Sequence, residues 1–154
     1  MKVVAISGYQ DSGKTTLVER LVPALATRGT VATVKSIHHD VDIDTPGKDT
    51  HRHRSAGADA VVGVTPSFTF QVTTDGTAED RDPDASLDRA LQHLDDEYDF
   101  VVAEGFKTAT VPTILVGDIE ESAVAGPVLA RVDEPRETDV AALADRIAGL
   151  PDAD

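Results

Sequence analysis

Gly8-Tyr9-Gln10-Asp11-Ser12-Gly13-Lys14-Thr15 follows the apolar run Val3-Val4-Ala5-Ile6 and opens a stretch with helical periodicity. This is the G-x-x-x-x-G-K-T pattern of a phosphate-binding loop, in the strand-turn-helix setting that gives the pattern its meaning. Its glycines let successive backbone N–H groups turn inward around phosphate oxygens. The helix N-terminus that follows adds unpaired donors and the positive end of its dipole. Lys14 would reach terminal phosphates and the Thr15 hydroxyl would ligate magnesium, tasks closed to apolar side chains.

Working outward, Leu17, Leu21, Ala24 and Leu25 recur at helical spacing, with Pro23 expected to perturb the helix and Gly29 to stop it. Thr30 to Lys35 is rich in β-branched residues and reads as a second strand. Ser36 to Lys48 has no core periodicity and reads as a functional loop, followed by a short helix capped by Asp49 or Thr50 and ended by Gly57. Ala60 to Val64 and Ser67 to Thr73 predict two antiparallel strands or a hairpin that widens the sheet. Ala85 to Leu94 predicts an amphipathic helix with Asp84 as a cap. Phe100-Val101-Val102-Ala103-Glu104 is continuous enough for a buried parallel strand. Thr113 to Val116 and Val128 to Val132 add strands, and a helix from Asp139 to Gly149 closes the chain. The expectation is one α/β domain over residues 1–150, with a mainly parallel sheet flanked by helices and a frayed tail at 151–154.

Twenty of the 28 acidic residues are aspartates and only five of the 14 basic residues are lysines, for a net charge of -14. A field of that sign repels nucleic acid and suits a solvent rich in salt, as in proteins of salt-loving organisms. No run of 18 apolar residues or signal-peptide pattern is present, so no membrane partner and a cytoplasmic location are expected. The absence of cysteine excludes disulfides and thiolate chemistry.

Glu104 ends an apolar strand and is followed by glycine, the place where α/β proteins gather ligands. It is the best partner for the loop's magnesium, with Asp44 as a second carboxylate. His38, His39, His51 and His53 crowd within 16 positions beside Asp40 and Asp42. Their spacing matches no standard zinc signature, and phosphate contact or an interface serves equally well. Lys14, Lys35, Lys48 and Lys107 all stand beside motif-like stretches, and Arg52 and Arg54 would join them in a local positive patch for a polyanion.

Together the loop, Lys35 to Asp44, the Pro46-Gly47-Lys48-Asp49-Thr50 turn, His51 to Ala58 and Glu104-Gly105-Phe106-Lys107 resemble the molybdopterin-guanine dinucleotide biosynthesis adaptor protein B family. The resemblance implies a GTP-binding homodimer with weak GTPase activity that assists a molybdopterin guanylyltransferase, with molybdopterin or a molybdoenzyme as further partners. Carried over, Gly8, Gly13, Lys14, Thr15 and Thr16 would bind phosphates; Asp11 and Ser12 within the loop, and Lys35 and Lys107, are further candidates for contact with the same ligand. Asp44 and Glu104 would serve magnesium or the attacking water, and Lys48, Asp49, Arg52 and Arg54 would line a shared cleft. The chain has Ser36 where the family often has histidine and Thr113 where it often has lysine. With no N-K-x-D pattern, guanine selectivity is implied by the resemblance alone. Three other readings stay open: a small-molecule kinase, a non-catalytic nucleotide-dependent partner-binding module, and a metal-delivery module using the histidines.

Overall fold

The computed structural model describes residues 1–37, 41, 43–73, 85–94 and 97–153. They fall in two compact units, Met1–Ile37 with Asp82–Asp154, and His38–Arg81.

The first unit is built on five parallel strands: β1 (Lys2–Gly8), β2 (Val31–Lys35), β5 (Phe100–Glu104), β6 (Thr113–Val116) and β7 (Val128–Val132), in the order β2-β5-β1-β6-β7. The continuous apolar runs anticipated this, because strands covered on both faces have no solvent side on which to place polar residues. Side chains alternate between faces. Val4, Ile6, Phe100, Val102, Ile114 and Val116 pack on α1 (Lys14–Ala26) and α4 (Val140–Ala148) through Leu17, Leu21, Leu25, Leu143 and Ile147. On the other face Val3, Val101 and Ala103 meet Leu87 and Leu91 of α3 (Ala85–Gln92), with Phe106.

Several boundaries differ from expectation for identifiable reasons. Helix α1 runs through Pro23; Glu19 and Pro23 are both exposed, so the carbonyl that proline cannot serve is open to water. Gly29 lacks the left-handed conformation of a helix-stopping glycine. It is required because a Cβ there would lie 2.4 Å from Asp99 Oδ2, whose carboxylate accepts the Thr30 N–H at 2.8 Å. Helix α3 stops at Gln92 because His93 and Leu94 donate three residues back, to Ala90 and Leu91. Asp139 caps α4, accepting from the N–H groups of Ala141 and Ala142. The tail expected to fray is anchored through residue 153. Asp152 pairs with the Met1 ammonium at 2.9 Å and with Lys2 at 3.2 Å, and Ala153 N–H donates to Met1 O.

The second unit carries α2 (Asp49–Ser55) and an antiparallel hairpin of β3 (Ala60–Val64) and β4 (Thr69–Thr73). The hairpin forms its own two-stranded sheet and does not widen the first. Gly57, at φ +103°, follows α2 as predicted. Lys48 occupies the N-cap position of α2 in place of Asp49 or Thr50, because the Thr50 hydroxyl is committed to Asp44 Oδ1 at 2.8 Å. His38, His39, Asp40, Asp42 and the Asp84 cap lie outside the described residues.

Candidate functional site

At the carboxyl end of β1 the chain leaves the sheet through the loop Gly8 to Thr15 and enters α1. The loop is shaped by contacts that tolerate no side chain at its ends. A Cβ on Gly8 would lie 2.5 Å from Ser12 Oγ and 2.6 Å from Val116 O, and one on Gly13 would lie 2.9 Å from Pro135 Cγ. Gly13, in the left-handed region at φ +89°, starts α1 with no side chain to cap it. The first-turn N–H groups therefore remain donors for an anion. The buried hydroxyls of Ser7 and Ser12 have no hydrogen-bond partner among the described residues.

Lys14 folds back across the loop, its Nζ donating to Tyr9 O at 2.6 Å and Gly8 O at 3.2 Å. Burial pushes its pKa down; Glu104 opposes that shift, Lys107 and Lys35 add to it, and Asp11 opposes it. A polyanion in the loop would oppose that shift by favouring the charged ammonium.

Glu104 ends β5, in register with Ile6 on β1 and Lys35 on β2. The twofold alternation along β5 puts its side chain on the same face as Val102 and Phe100, toward the start of α1. Thr15 Oγ1 donates to its carboxylate, 3.1 Å from Oε1 and 3.3 Å from Oε2, and Lys35 Nζ lies 3.1 Å from Oε1. Lys107, in the loop after β5, sits over the Tyr9 ring, 5.3 Å from its centroid.

These groups surround a cavity of about 460 Å³ lined by Gln10, Asp11, Gly13, Lys14, Thr15, Thr16, Lys35 and Glu104. Of the residues singled out from sequence, Gly8 and Ser12 shape the loop behind the cavity, and Lys107 stands on Tyr9. Gln10, Tyr9 and Pro135 were not anticipated: the first two occupy variable positions of the loop pattern, and Pro135 lies in a region without a readable motif.

Asp44, Lys48, Asp49, Arg52 and Arg54 belong to the second unit. There Asp44 accepts from Thr50, and Arg52 and Arg54 lie in the last turn of α2. His51 Nδ1 accepts the Gly47 N–H at 3.3 Å, and His53 is exposed. Among the described residues no three histidine or carboxylate side chains cluster as metal ligands.

The first unit fits a magnesium nucleotide. The glycine cradle and the uncapped first-turn N–H groups of α1 suit phosphate oxygens, and a threonine hydroxyl in contact with a carboxylate is a donor set for a hard, oxygen-seeking cation. Among the described residues no helix is long and apolar enough to cross a membrane.

A family model described as "Molybdopterin guanine dinucleotide synthesis protein B" matches residues 3–135. The molybdopterin-guanine dinucleotide biosynthesis adapter protein of Haemophilus influenzae is 35% identical over 116 residues, 74% of this chain and 62% of that one. The putative adapter protein of Methanocaldococcus jannaschii is 39% identical over 110 residues, 71% of this chain and 42% of that one. The chain thus spans 62% and 42% of the lengths of these relatives. A crystal structure of molybdopterin-guanine biosynthesis protein B superposes with a TM-score of 0.69 at 30% identity, covering 94% of this chain and 97% of that one. With the matched span taking in the phosphate loop, β5 with Glu104, and the Pro135 that closes on Gly13, the chain belongs to the molybdopterin guanine dinucleotide synthesis protein B family.

Proposed function

We propose that the protein is a GTP-binding adaptor with slow GTPase activity that assists a guanylyltransferase in attaching a guanosine nucleotide to molybdopterin during molybdenum cofactor biosynthesis. The observation that carries this reading is the Thr15 hydroxyl on the Glu104 carboxylate at 3.1 Å, beside a glycine loop that Lys14 crosses.

In this reading the loop N–H groups from Asp11 to Thr16 hold the phosphates, and Lys14 leaves the Gly8 and Tyr9 carbonyls for the terminal phosphoryl oxygens. Thr15 and Glu104 hold magnesium, which when bound neutralises phosphate charge. Lys35 and Lys107 add positive potential at the same end of the sheet. Among the described residues no arginine lines the cavity, and without a rigid guanidinium on the transferred group, hydrolysis is slow.

Asp44 is proposed as a further carboxylate for magnesium or the attacking water, and Lys48, Asp49, Arg52 and Arg54 as the wall of a cleft shared by two copies. The homodimer draws support from the hairpin, whose Val62 and Val64 stand on one exposed face of β3 with Phe68 exposed beside them. The proposed partners are the guanylyltransferase, with molybdopterin or a molybdoenzyme beyond it, and the proposed location is the cytoplasm. The acidic surface supports a working medium of high salt.

Calorimetric titration of GTP and ATP with magnesium in molar KCl tests the reading. GTP binds and ATP binds weakly, and Lys14→Ala lowers GTP affinity at least about 100-fold, the loss expected when a desolvated charge contact to phosphate is removed. Preference for ATP, or affinity indifferent to Lys14, overturns it.

A further inference from the structure

Among the described residues Glu104 is the only charged side chain that the fold buries. A carboxylate in that position requires cations or hydrogen-bond donors around it. Thr15 supplies a donor, but the compensating charge in direct contact is Lys35. Lys14 belongs to the phosphate loop itself, yet its ammonium is engaged by the Gly8 and Tyr9 carbonyls. The Lys35 contact is built into the backbone. Lys35 and Glu104 are register partners at the ends of adjacent parallel strands, so both side chains emerge on the same face at the same height.

The two partners differ in freedom. The Glu104 side chain is 11% exposed and the Lys35 side chain 54%, so the carboxylate is fixed and the ammonium, on its flexible four-carbon stem, can leave. Both line the same cavity, and rotation of the lysine side chain within it exchanges one oxygen partner for another. An ammonium hydrogen-bonded to Oε1 occupies the lone pairs that a divalent ion or its hydration water would use, and repels that ion at close range.

We propose that Lys35 is the built-in counter-ion of Glu104, which keeps divalent metal off the carboxylate until phosphate oxygens give the ammonium a new partner. Metal and nucleotide then load together, and metal by itself gains little. Lys35 acts here as a positioning residue for the metal carboxylate. The inference rests on the reading of Glu104 as a magnesium carboxylate, and it is tested without nucleotide, so its failure is separate from a failure to bind GTP.

The probe is Mn²⁺ alone, titrated at fixed ionic strength and followed by the electron paramagnetic resonance of the free ion. Lys35→Met binds Mn²⁺ about tenfold more tightly than the parent, the scale set by removing one unit charge at contact distance in a partly exposed site. Lys35→Gln, a second neutral variant, gives the same gain, and Lys35→Arg, which keeps the cation, stays near the parent. Glu104→Gln added to Lys35→Met erases the gain. Lys107→Met removes the same charge from the neighbourhood without the ion pair and gains less than about threefold, because a charge that stands on Tyr9 and not on Glu104 is screened from the carboxylate. Parent-like affinity in both neutral Lys35 variants, or an equal gain in Lys107→Met, overturns the proposal.

Discussion

In the first unit Val4, Ile6, Val102 and Ile114 are sealed between the sheet and helices α1 and α4, whereas in the hairpin of the second unit Val62, Val64 and Phe68 are 57%, 78% and 62% exposed. All three clusters of buried apolar residues found among the described residues lie in the first unit. The first unit therefore contains what holds its own site in place. A two-stranded hairpin is marginal by itself in water, and a group of exposed apolar side chains on it marks a surface for contact. The cavity is thus a property of the first unit's packing, while the hairpin leaves Val62, Val64 and Phe68 uncovered.

The largest effect that sharpens this contrast is in the core. Leu21, on α1 and fully buried, loses about 2–5 kcal/mol of unfolding free energy as Leu21→Ala, the usual range for a leucine cavity in a packed interior. Denaturant unfolding measures it, and a cost below about 1 kcal/mol would show that the first unit is not the rigid partner in the comparison. A smaller effect belongs to the hairpin. On the proposed homodimer, Val64→Lys combined with Phe68→Ser is expected to weaken self-association, read by light scattering across a dilution series, while changing the unfolding free energy by only about 0.5 kcal/mol, as for other surface positions. Unchanged association with a large loss of stability would reverse the assignment and place these side chains in a core.

The smallest effect is electrostatic and sits at the opposite end of the sheet from the cavity. Asp99 accepts the backbone N–H and the hydroxyl of Thr30, and those hydrogen bonds hold its carboxyl below the usual carboxylate range. A depressed folded-state pKa contributes stability that is present above the unfolded value of about 4 and is lost as pH falls through the lower folded value. Asp99→Asn therefore melts earlier than the parent at pH 7, and the gap narrows as pH falls below about 4. A gap independent of pH would assign the loss to shape, through the close approach of Gly29, and not to charge.

Much of the first unit was readable because its residues have few alternatives. Gly8, Gly13, Lys14 and Thr15 are obligatory in a loop of this kind, and continuous apolar runs admit only a strand covered on both faces. Lys35 and Glu104 each stood out as strand-ending charges, but their pairing did not. It depends on β2 and β5 becoming neighbours across 69 positions of sequence, which no local pattern encodes. Gly29 was legible as a required glycine for the wrong reason, since a helix stop and a close approach to a carboxylate leave the same letter. The anchored tail was illegible because Asp152 finds its partners at the far end of the chain. In the second unit the hairpin was legible from its β-branched residues and short turn, and its separation from the main sheet was not, because edge pairing is decided by tertiary contacts.

Strand β1 is hydrogen-bonded on one side to β5 and on the other to β6, with Val4, Ala5 and Ile6 wholly enclosed. Exchange of its amides requires the sheet to open, so they are expected to fall in the slowest class of the unit in a deuterium-exchange measurement. The phosphate loop hangs from that strand. In hydrogen-exchange terms, one end of the loop is tied to the part of this unit expected to let go last, and the loop should regain its shape on refolding only with those amides.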